Sequence, residues 1–355
     1  MLKKENRKML FSGVIIGIIA ALLMKFGNPG NMGMCIACFL RDIAGGLGLH
    51  KAPPVQYIRP EIIGILLGAF GASFLSKDFN PRGGSNPLIR FSFAVAMMVG
   101  ALVFLGCPLR MILRLAGGDL NALVGLFGFI LGIFIGIQLL KKGYSLGRNH
   151  RQSKVSAFLV PLFALGLLIL VVAKPAFIAF SEEGPGAAHA PMIYSLIGGA
   201  IVGVLLQRTR ICTAAAFRDI ILIKNFHYFY GVLGIFLGAA VFNPLLNGSS
   251  IHLGFADQPI AHSEHLWNFL GMALVGLTGV LLGGCPIRQL ILSADGDTDG
   301  AITVIGLIVG AALVHNFGLA SSGEGTTTAG RIATILCFVY VFVISFWQIA
   351  EGRKS

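Results

Sequence analysis

Ten long apolar stretches restrict the fold of this chain more than any other feature of its sequence. A helix needs about 20 mostly apolar residues to cross the hydrocarbon core of a bilayer. Only 12% of the residues are charged, whereas soluble domains carry about 25%. The sequence therefore predicts an all-α integral membrane protein with about ten transmembrane helices. The candidate spans are residues 9–26, 60–76, 88–106, 120–140, 155–173, 192–207, 228–246, 266–283, 300–319 and 331–350.

The basic residues lie at the ends of the apolar stretches, so the formal net charge of +12 indicates orientation in a membrane and not nucleic-acid binding. Lys and Arg are enriched in cytoplasmic loops. The basic residues of 141–154 then lie in the cytoplasm, and the loop 174–191, which contains Glu182 and Glu183, lies outside. Ten spans place both termini in the cytoplasm.

Four further stretches are too short to cross a bilayer and too apolar to be solvent-exposed loops. They are residues 34–48, 107–117, 211–224 and 285–294. Half-length or irregular backbone is tolerated at membrane depth only where protein or a water-filled cavity covers it. We interpret these stretches as re-entrant half-helices.

Two motifs recur at one spacing along the chain. "MCIACFLRD" (34–42) matches "ICTAAAFRD" (211–219) at an offset of 177, and "LGCPLR" (105–110) matches "GGCPIR" (283–288) at an offset of 178. This indicates an internal duplication. Five spans separate equivalent points, so the two repeats have inverted orientations, an arrangement typical of transporters. The predicted segments are a first repeat (1–145), a connecting helix and outer loop (146–190), a second repeat (191–320) and a C-terminal helix (321–355).

The repeat matches four of the six cysteines, one in each short stretch. These are Cys35, Cys107, Cys212 and Cys285. Cys38 corresponds to Ala215, and Cys337 lies in the last span. A buried cysteine is often only a small apolar side chain. Four cysteines at repeat-matched positions favour a functional role instead.

The sequence Gly-Cys-Pro predicts a helix start with cysteine at the N-cap, because proline suits the first helical position. The free N–H groups and the positive end of the helix dipole there can bind an anion. We expect Cys107 and Cys285 to face each other at the narrowest point of the molecule. The residues expected to support the cysteines are Arg41, Asp42, Arg110, Arg218, Asp219, Arg288, Gly106, Pro108, Gly284 and Pro286.

The charged residues of this set allow two interpretations. Arg110 and Arg288 lie one turn from a cysteine, and ionisable groups inside a membrane are functional by default. The two Arg-Asp pairs could equally anchor the half-helices. Cys35 and Cys38 have the spacing of zinc ligands, but no second close pair follows. We therefore predict neither a metal nor a cofactor.

These motifs resemble the YeeE/YedE family of bacterial membrane proteins, the sulfur-transport domain family. The resemblance is carried by "RTRICTAAAFRD" (208–219) and "LGGCPIR" (282–288). It implies an hourglass of inverted repeats in the cytoplasmic (inner) membrane, with a central path lined by Cys35, Cys107, Cys212 and Cys285. Characterised family members import thiosulfate, and their thiols are proposed to pass the anion on through S–H···S hydrogen bonds.

The first half resembles the YedE branch of this family, which is described as transporting selenium. "GNPGNMGMCIACFLRD" (27–42) and "LGCPLRMILRLAGGDLNA" (105–122) carry this resemblance. It implies a thiosulfate-like anion or a selenium compound as the substrate. The expected partners are this substrate, the lipid bilayer and a cytosolic sulfur or selenium carrier protein, with no nucleic acid.

The main alternative is an enzyme, a membrane thiol–disulfide oxidoreductase that uses Cys35 and Cys38. Thiol–disulfide exchange requires an accessible attacking thiol and a resolving partner. Cys38 has no counterpart in the second repeat, and ten spans exceed what dithiol chemistry requires. A transporter is therefore the favoured interpretation, and a purely structural or sensory membrane protein is a further alternative.

Overall fold

The computed structural model describes residues 3–248 and 253–352. Within these residues, ten helical segments are long and apolar enough to cross a membrane. This confirms the all-α class and the predicted number of spans. The outermost residues of the predicted first and last segments, 1–2 and 353–355, lie outside the described residues, and so do the basic residues Arg353 and Lys354.

The helices are α1 (Lys4–Lys25), α2 (Ile36–Gly46), α3 (Pro60–Leu75), α4 (Pro87–Val103), α5 (Pro108–Ala116), α6 (Asn121–Lys141), α7 (Lys154–Ala173), α8 (Gly184–Ala187), α9 (Met192–Thr209), α10 (Thr213–Ile223), α11 (His227–Asn247), α12 (His265–Leu281), α13 (Pro286–Ala294), α14 (Thr298–Asn316) and α15 (Thr328–Gly352). A short 3₁₀ helix covers Pro53–Val55. Two short strands, β1 (Arg82–Gly83) and β2 (His150–Arg151), pair antiparallel.

Four of these helices are half-helices. α2 and α10 have 11 residues, and α5 and α13 have 9. At about 1.5 Å per residue, none can span the hydrocarbon core alone. Each lies within one of the four short stretches expected from the sequence, and each begins directly after a repeat-matched cysteine.

The helix bounds and the helix packing both repeat along the chain. α4 and α12 begin and end at residues that differ by 178, as do α5 and α13. The long helices pack in reciprocal pairs: α1 contacts α11 while α9 contacts α3, and α6 contacts α12 while α14 contacts α4. Two equivalent halves make reciprocal contacts of this kind. The limits of the repeats, 1–145 and 191–320, stay predictions.

Glycines allow these long helices to approach closely. A Cβ added at Gly17 on α1 would collide with the Ile235 carbonyl on α11, and one at Gly64 on α3 would collide with the Leu196 carbonyl on α9. Small residues let backbones pack in a membrane, where apolar side chains gain little by leaving lipid. The glycine-rich spans thus form tightly packed walls around the half-helices.

The molecule has two ends, each built from several loops. Residues 26–34, 174–191 and 253–264 form the first end, where the Ala190 N–H donates to Asn28 Oδ1 (2.8 Å) and Asn31 Nδ2 donates to Gln258 Oε1 (3.3 Å). Residues 76–86 and 142–153 form the second end, where β1 pairs with β2.

The four half-helices run in pairs to these opposite ends. At the first end, the Ala179 N–H donates to the Gly46 carbonyl at the end of α2, at 3.0 Å. There also, the Leu120 N–H beyond α5 donates to the Gly254 carbonyl, at 3.0 Å. At the second end, the Asn80 N–H donates to the carbonyl of Asp295, directly after α13, at 3.0 Å. α10 leads to His227, whose Nδ1 lies 2.9 Å from Asn6 Oδ1 near the start of α1, the end of α1 opposite the first-end loop 26–34. The two halves are therefore inverted with respect to each other.

The first prediction concerns membrane orientation. We expect reporter fusions within residues 141–154, at the second end, to report the cytoplasm, because this segment is strongly basic. Fusions within residues 176–190, at the first end, should report the outside. Paired phosphatase and fluorescent-protein fusions at each site provide the measurement. An outside location for residues 141–154 would show that the orientation is wrong, and the same side for both segments would contradict ten spans.

Candidate functional site

The four repeat-matched cysteines form two thiol pairs. The Cys35 thiol donates to Cys107 Sγ at 3.8 Å, and the Cys212 thiol donates to Cys285 Sγ at 3.5 Å. All four side chains are buried, and all four thiols are free. The first thiol pair joins the starts of α2 and α5, and the second thiol pair joins the starts of α10 and α13.

Cys35 and Cys212 cap their half-helices with their own sulfur atoms. Cys35 Sγ accepts the Cys38 N–H at 3.4 Å, and Cys212 Sγ accepts the Ala215 N–H at 3.5 Å. The Cys285 N–H donates to Cys212 Sγ, also at 3.5 Å. Sulfur thus partners N–H groups that the first turn of a helix leaves unpaired.

Cys107 and Cys285 are the N-caps of α5 and α13, with extended backbones. Pro108 and Pro286 follow at the first helical position, as the sequence predicts. The N–H groups of the first turns of α2 and α5 lie close to Cys107 Sγ, and those of α10 and α13 lie close to Cys285 Sγ. Each thiol pair therefore lies where the positive ends of two half-helices meet.

The glycine before each of these cysteines makes room for an arginine. A Cβ at Gly106 would lie 2.9 Å from Arg110 Cδ, and a Cβ at Gly284 would lie 2.7 Å from Arg288 Cγ. Both distances are too short for carbon atoms in contact. Glycine at these positions lets each arginine fold back over the start of its own half-helix.

Arg110 is fully buried and closes the first end over the first thiol pair. Its Nε donates to the Asn31 carbonyl (2.9 Å) and its Nη2 to the Ile260 carbonyl (3.1 Å). Its Nη1 donates to the Leu105 carbonyl and, at 3.6 Å, to Cys38 Sγ. The Arg110 guanidinium therefore links three loops, and its hydrogen-bond partners are carbonyls and a thiol.

Arg288 holds the corresponding position in the second half but is bonded differently. Its Nη1 is buried and has no hydrogen-bond partner within the described part of the chain. Its side chain is only half-buried. The two halves are therefore chemically unequal: the Arg110 guanidinium is held at every nitrogen, whereas the Arg288 guanidinium has a spare buried donor.

The Arg-Asp neighbours form ion pairs within their own half-helices. Arg41 Nη2 and Asp42 Oδ1 lie 2.7 Å apart in α2, and Arg218 Nε and Asp219 Oδ1 lie 2.8 Å apart in α10. Asp42 also pairs with Arg59, whose Nε lies 2.7 Å from Asp42 Oδ2. Arg59 is fully buried, and the sequence analysis did not identify it. A basic residue at the predicted outer side, against the usual charge bias, was the signal that could have identified it.

A second buried ion pair also went unrecognised in the sequence. Arg114 Nε lies 2.6 Å from Asp119 Oδ2, and both side chains are fully buried beyond the first thiol pair.

Cys38 is buried beside Arg110, and Cys337 lies in a surface groove on α15. Across residues 3–248 and 253–352, no three His, Cys, Asp or Glu side chains are grouped so as to hold a metal ion. Whether Cys107 faces Cys285 stays a prediction, since the closest thiol contacts lie within each half.

A comparison with protein families finds a match. Residues 208–348 match the family model described as sulphur transport. The matched segment runs from the end of α9 into α15 and contains the second thiol pair. A search of curated proteins finds no match to the chain.

The second prediction concerns the anchor at Asp42. Arg59→Met should lower the melting temperature of the detergent-solubilised protein clearly, because breaking a buried ion pair costs about 3–5 kcal/mol. Arg208→Met is the matched control, since Arg208 and Asp78 are 53% and 45% exposed and such pairs contribute about 0–1 kcal/mol. Thermal denaturation followed by size-exclusion chromatography provides the measurement. Equal melting temperatures for the two variants would contradict an anchoring role for Arg59.

Proposed function

We propose that this chain, whose residues 208–348 match the sulphur-transport (YeeE/YedE) family model, imports a small sulfur- or selenium-containing species through a central path. The substrate is a thiosulfate-like anion or a selenium compound, and the path residues are Cys35, Cys107, Cys212 and Cys285. The observation that carries this proposal is the burial of two thiol pairs where half-helix N-termini meet.

The chemistry of this arrangement suits an anion with a soft atom. The terminal sulfur of thiosulfate can accept a hydrogen bond from a thiol, and a reduced selenium species is softer still. The surrounding N–H groups and helix dipoles favour the negative charge. A hard oxyanion such as sulfate has no soft atom for the thiols to contact. Several weak contacts in sequence also suit passage, since binding must be loose enough for release.

The positions of the two thiol pairs define the direction of transport along the path. The loops tied by Arg110 cover the first thiol pair at the first end, which we propose faces the outside of the bacterial cytoplasmic membrane. The second thiol pair lies with the half-helices of the second end, on the cytoplasmic side with both termini. An entering anion thus meets the first thiol pair before the second, and a cytosolic sulfur or selenium carrier protein would receive it. All four thiols are buried, so loop movements must open each end in turn.

The contacts of Cys35 argue against the oxidoreductase alternative. Its sulfur caps α2 through the Cys38 N–H and donates to Cys107 rather than lying free to attack a disulfide. Cys35 and Cys38 are both fully buried. Because thiol–disulfide exchange depends on access to the attacking thiol, transport is the better-supported activity.

The third prediction tests the second thiol pair. In proteoliposomes, Cys285→Ala should reduce uptake of labelled thiosulfate at least about tenfold, since it removes a contact worth about 0.5–1.5 kcal/mol and also leaves the buried Cys212 thiol without its partner, which adds to the cost. Cys285→Ser should be less damaging than Cys285→Ala only if the residue acts as a hydrogen-bond donor. Cys337→Ala, on the peripheral helix α15, is the matched control and should transport normally.

The outcome that would contradict this prediction is near-normal uptake by a well-folded Cys107→Ala/Cys285→Ala double variant. In that case these cysteines would serve only as packing residues.

The fourth prediction separates transport from redox chemistry and probes the substrate. Cys38→Ala should retain substantial uptake, whereas Cys212→Ala should not, because only Cys212 belongs to a thiol pair of the path. Uptake of labelled thiosulfate, selenite and selenide, measured side by side, identifies the preferred species. Loss of activity in Cys38→Ala with normal activity in Cys212→Ala would favour a redox pair at Cys35 and Cys38 instead.

A further inference from the structure

A carboxylate with an incomplete set of hydrogen bonds lies at the second end of the path. Asp295 follows directly after α13, the half-helix that begins at Cys285, and lies between two membrane spans. Its Oδ1 is buried and has no hydrogen-bond partner among the residues that the structure describes. The buried Ser73 hydroxyl of α3 faces this carboxyl group as a hydrogen-bonding neighbour, and neither group forms a hydrogen bond of normal geometry there.

Three arginines lower the pKa of this carboxyl group through their positive charges. None of them forms an ion pair with it within the described ranges. Arg288 comes from α13, Arg82 from β1 and Arg210 from the end of α9. Arg82 forms an ion pair with Asp297 instead, with 2.8 Å between Arg82 Nε and Asp297 Oδ2. Arg288 keeps its unpartnered Nη1.

Two lysines complete the charged surroundings. Lys77 and Lys154 line the adjoining surface pocket. Burial raises the pKa of Asp295 to about 6, although Arg288, the Ser73 hydroxyl and the other two arginines act in the opposite direction. The carboxyl group is thus placed to gain and lose a proton near neutral pH.

This arrangement exists in one half only. The position that corresponds to Asp295 in the first repeat is Gly117, so α5 ends without a carboxylate. Arg110, the counterpart of Arg288, already donates from every nitrogen of its guanidinium. Within the described residues, the second end thus combines an unpartnered cationic donor with a hydroxyl and a carboxylate oxygen that the protein does not fully satisfy.

We propose that Arg288, Ser73 and Asp295 form an anion subsite at the second end, in which Asp295 is protonated while the anion is bound. This inference rests on the proposed function and adds an exit subsite to the path. Arg288 Nη1 and the Ser73 hydroxyl donate to the oxygens of the anion. A protonated Asp295 can donate as well, whereas an ionised Asp295 repels the anion.

Anion binding and proton binding therefore favour each other, because coupling between two ligands is reciprocal. The only step is the gain of one proton by the carboxylate from water when the anion arrives, and the loss of that proton to water when the anion leaves. Ionisation of Asp295 thus helps to expel the anion into the cytoplasm.

The experiment measures thiosulfate binding to the purified full-length protein by calorimetry in buffers of different ionisation enthalpy. Thiosulfate itself does not titrate in the range used, about pH 6 to 8. The wild-type protein should take up nearly one proton per anion at the upper end of this range. Its dissociation constant should rise about tenfold for each pH unit above pH 6, the dependence expected for one coupled proton.

Asp295→Asn, which imitates the neutral acid, should bind thiosulfate without proton uptake and with an affinity that does not depend on pH. Asp78→Asn is the matched control, an exposed carboxylate at the same end, and should behave like the wild type. Ser73→Ala should weaken binding while it keeps the proton uptake, which tests the subsite without altering the titrating group.

Each remaining outcome overturns a stated part of the account. Binding by the wild type without proton uptake, or unchanged pH dependence in Asp295→Asn, overturns the proton-coupled subsite and leaves the proposed function standing. Absence of thiosulfate binding at every pH contradicts the subsite and thiosulfate transport together.

Discussion

The structure depends on how the unpaired N–H groups of four half-helices are satisfied inside the membrane. The first turn of every helix leaves N–H groups without backbone partners, and burying such groups away from water is costly. Here the groups converge on cysteine sulfur atoms, two half-helices to each thiol pair. Sulfur is a weak acceptor, so the convergence is only partly satisfied by the protein itself. An anion that passes between the thiols would satisfy it better.

The rest of the molecule holds these helix starts in place. Long helices pack closely through glycines, as at Gly17 and Gly64, and enclose the half-helices. Buried ion pairs fix the outer parts of the half-helices, above all the Asp42 carboxylate between Arg41 and Arg59. Because removing one partner of a buried pair leaves an uncompensated charge, these anchors tolerate little change.

Much of this architecture could be predicted from local sequence. Long apolar stretches define the spans, and Gly-Cys-Pro predicts where α5 and α13 begin, because proline and N-cap preferences act over a few residues. The pairing of Cys35 with Cys107 could not be predicted, since 72 residues separate them and only the packing of two half-helices brings them together. The sequence signals that Arg59 is unusual, since it is a basic residue on the predicted outer side, but its pairing with Asp42 depends on packing and could not be predicted. The difference in hydrogen bonding between Arg110 and Arg288 could not be predicted either, because the two residues hold equivalent positions in the repeat.

The central claim is that a soft anion is bound between the thiol pairs. The most direct measurement is a crystal structure with selenosulfate, in which anomalous scattering locates the selenium atom without reference to the protein. The account predicts a selenium peak within hydrogen-bonding distance of Cys107 Sγ or Cys285 Sγ in protein that is active in uptake. A selenium peak remote from all four path cysteines, in equally active protein, would contradict it.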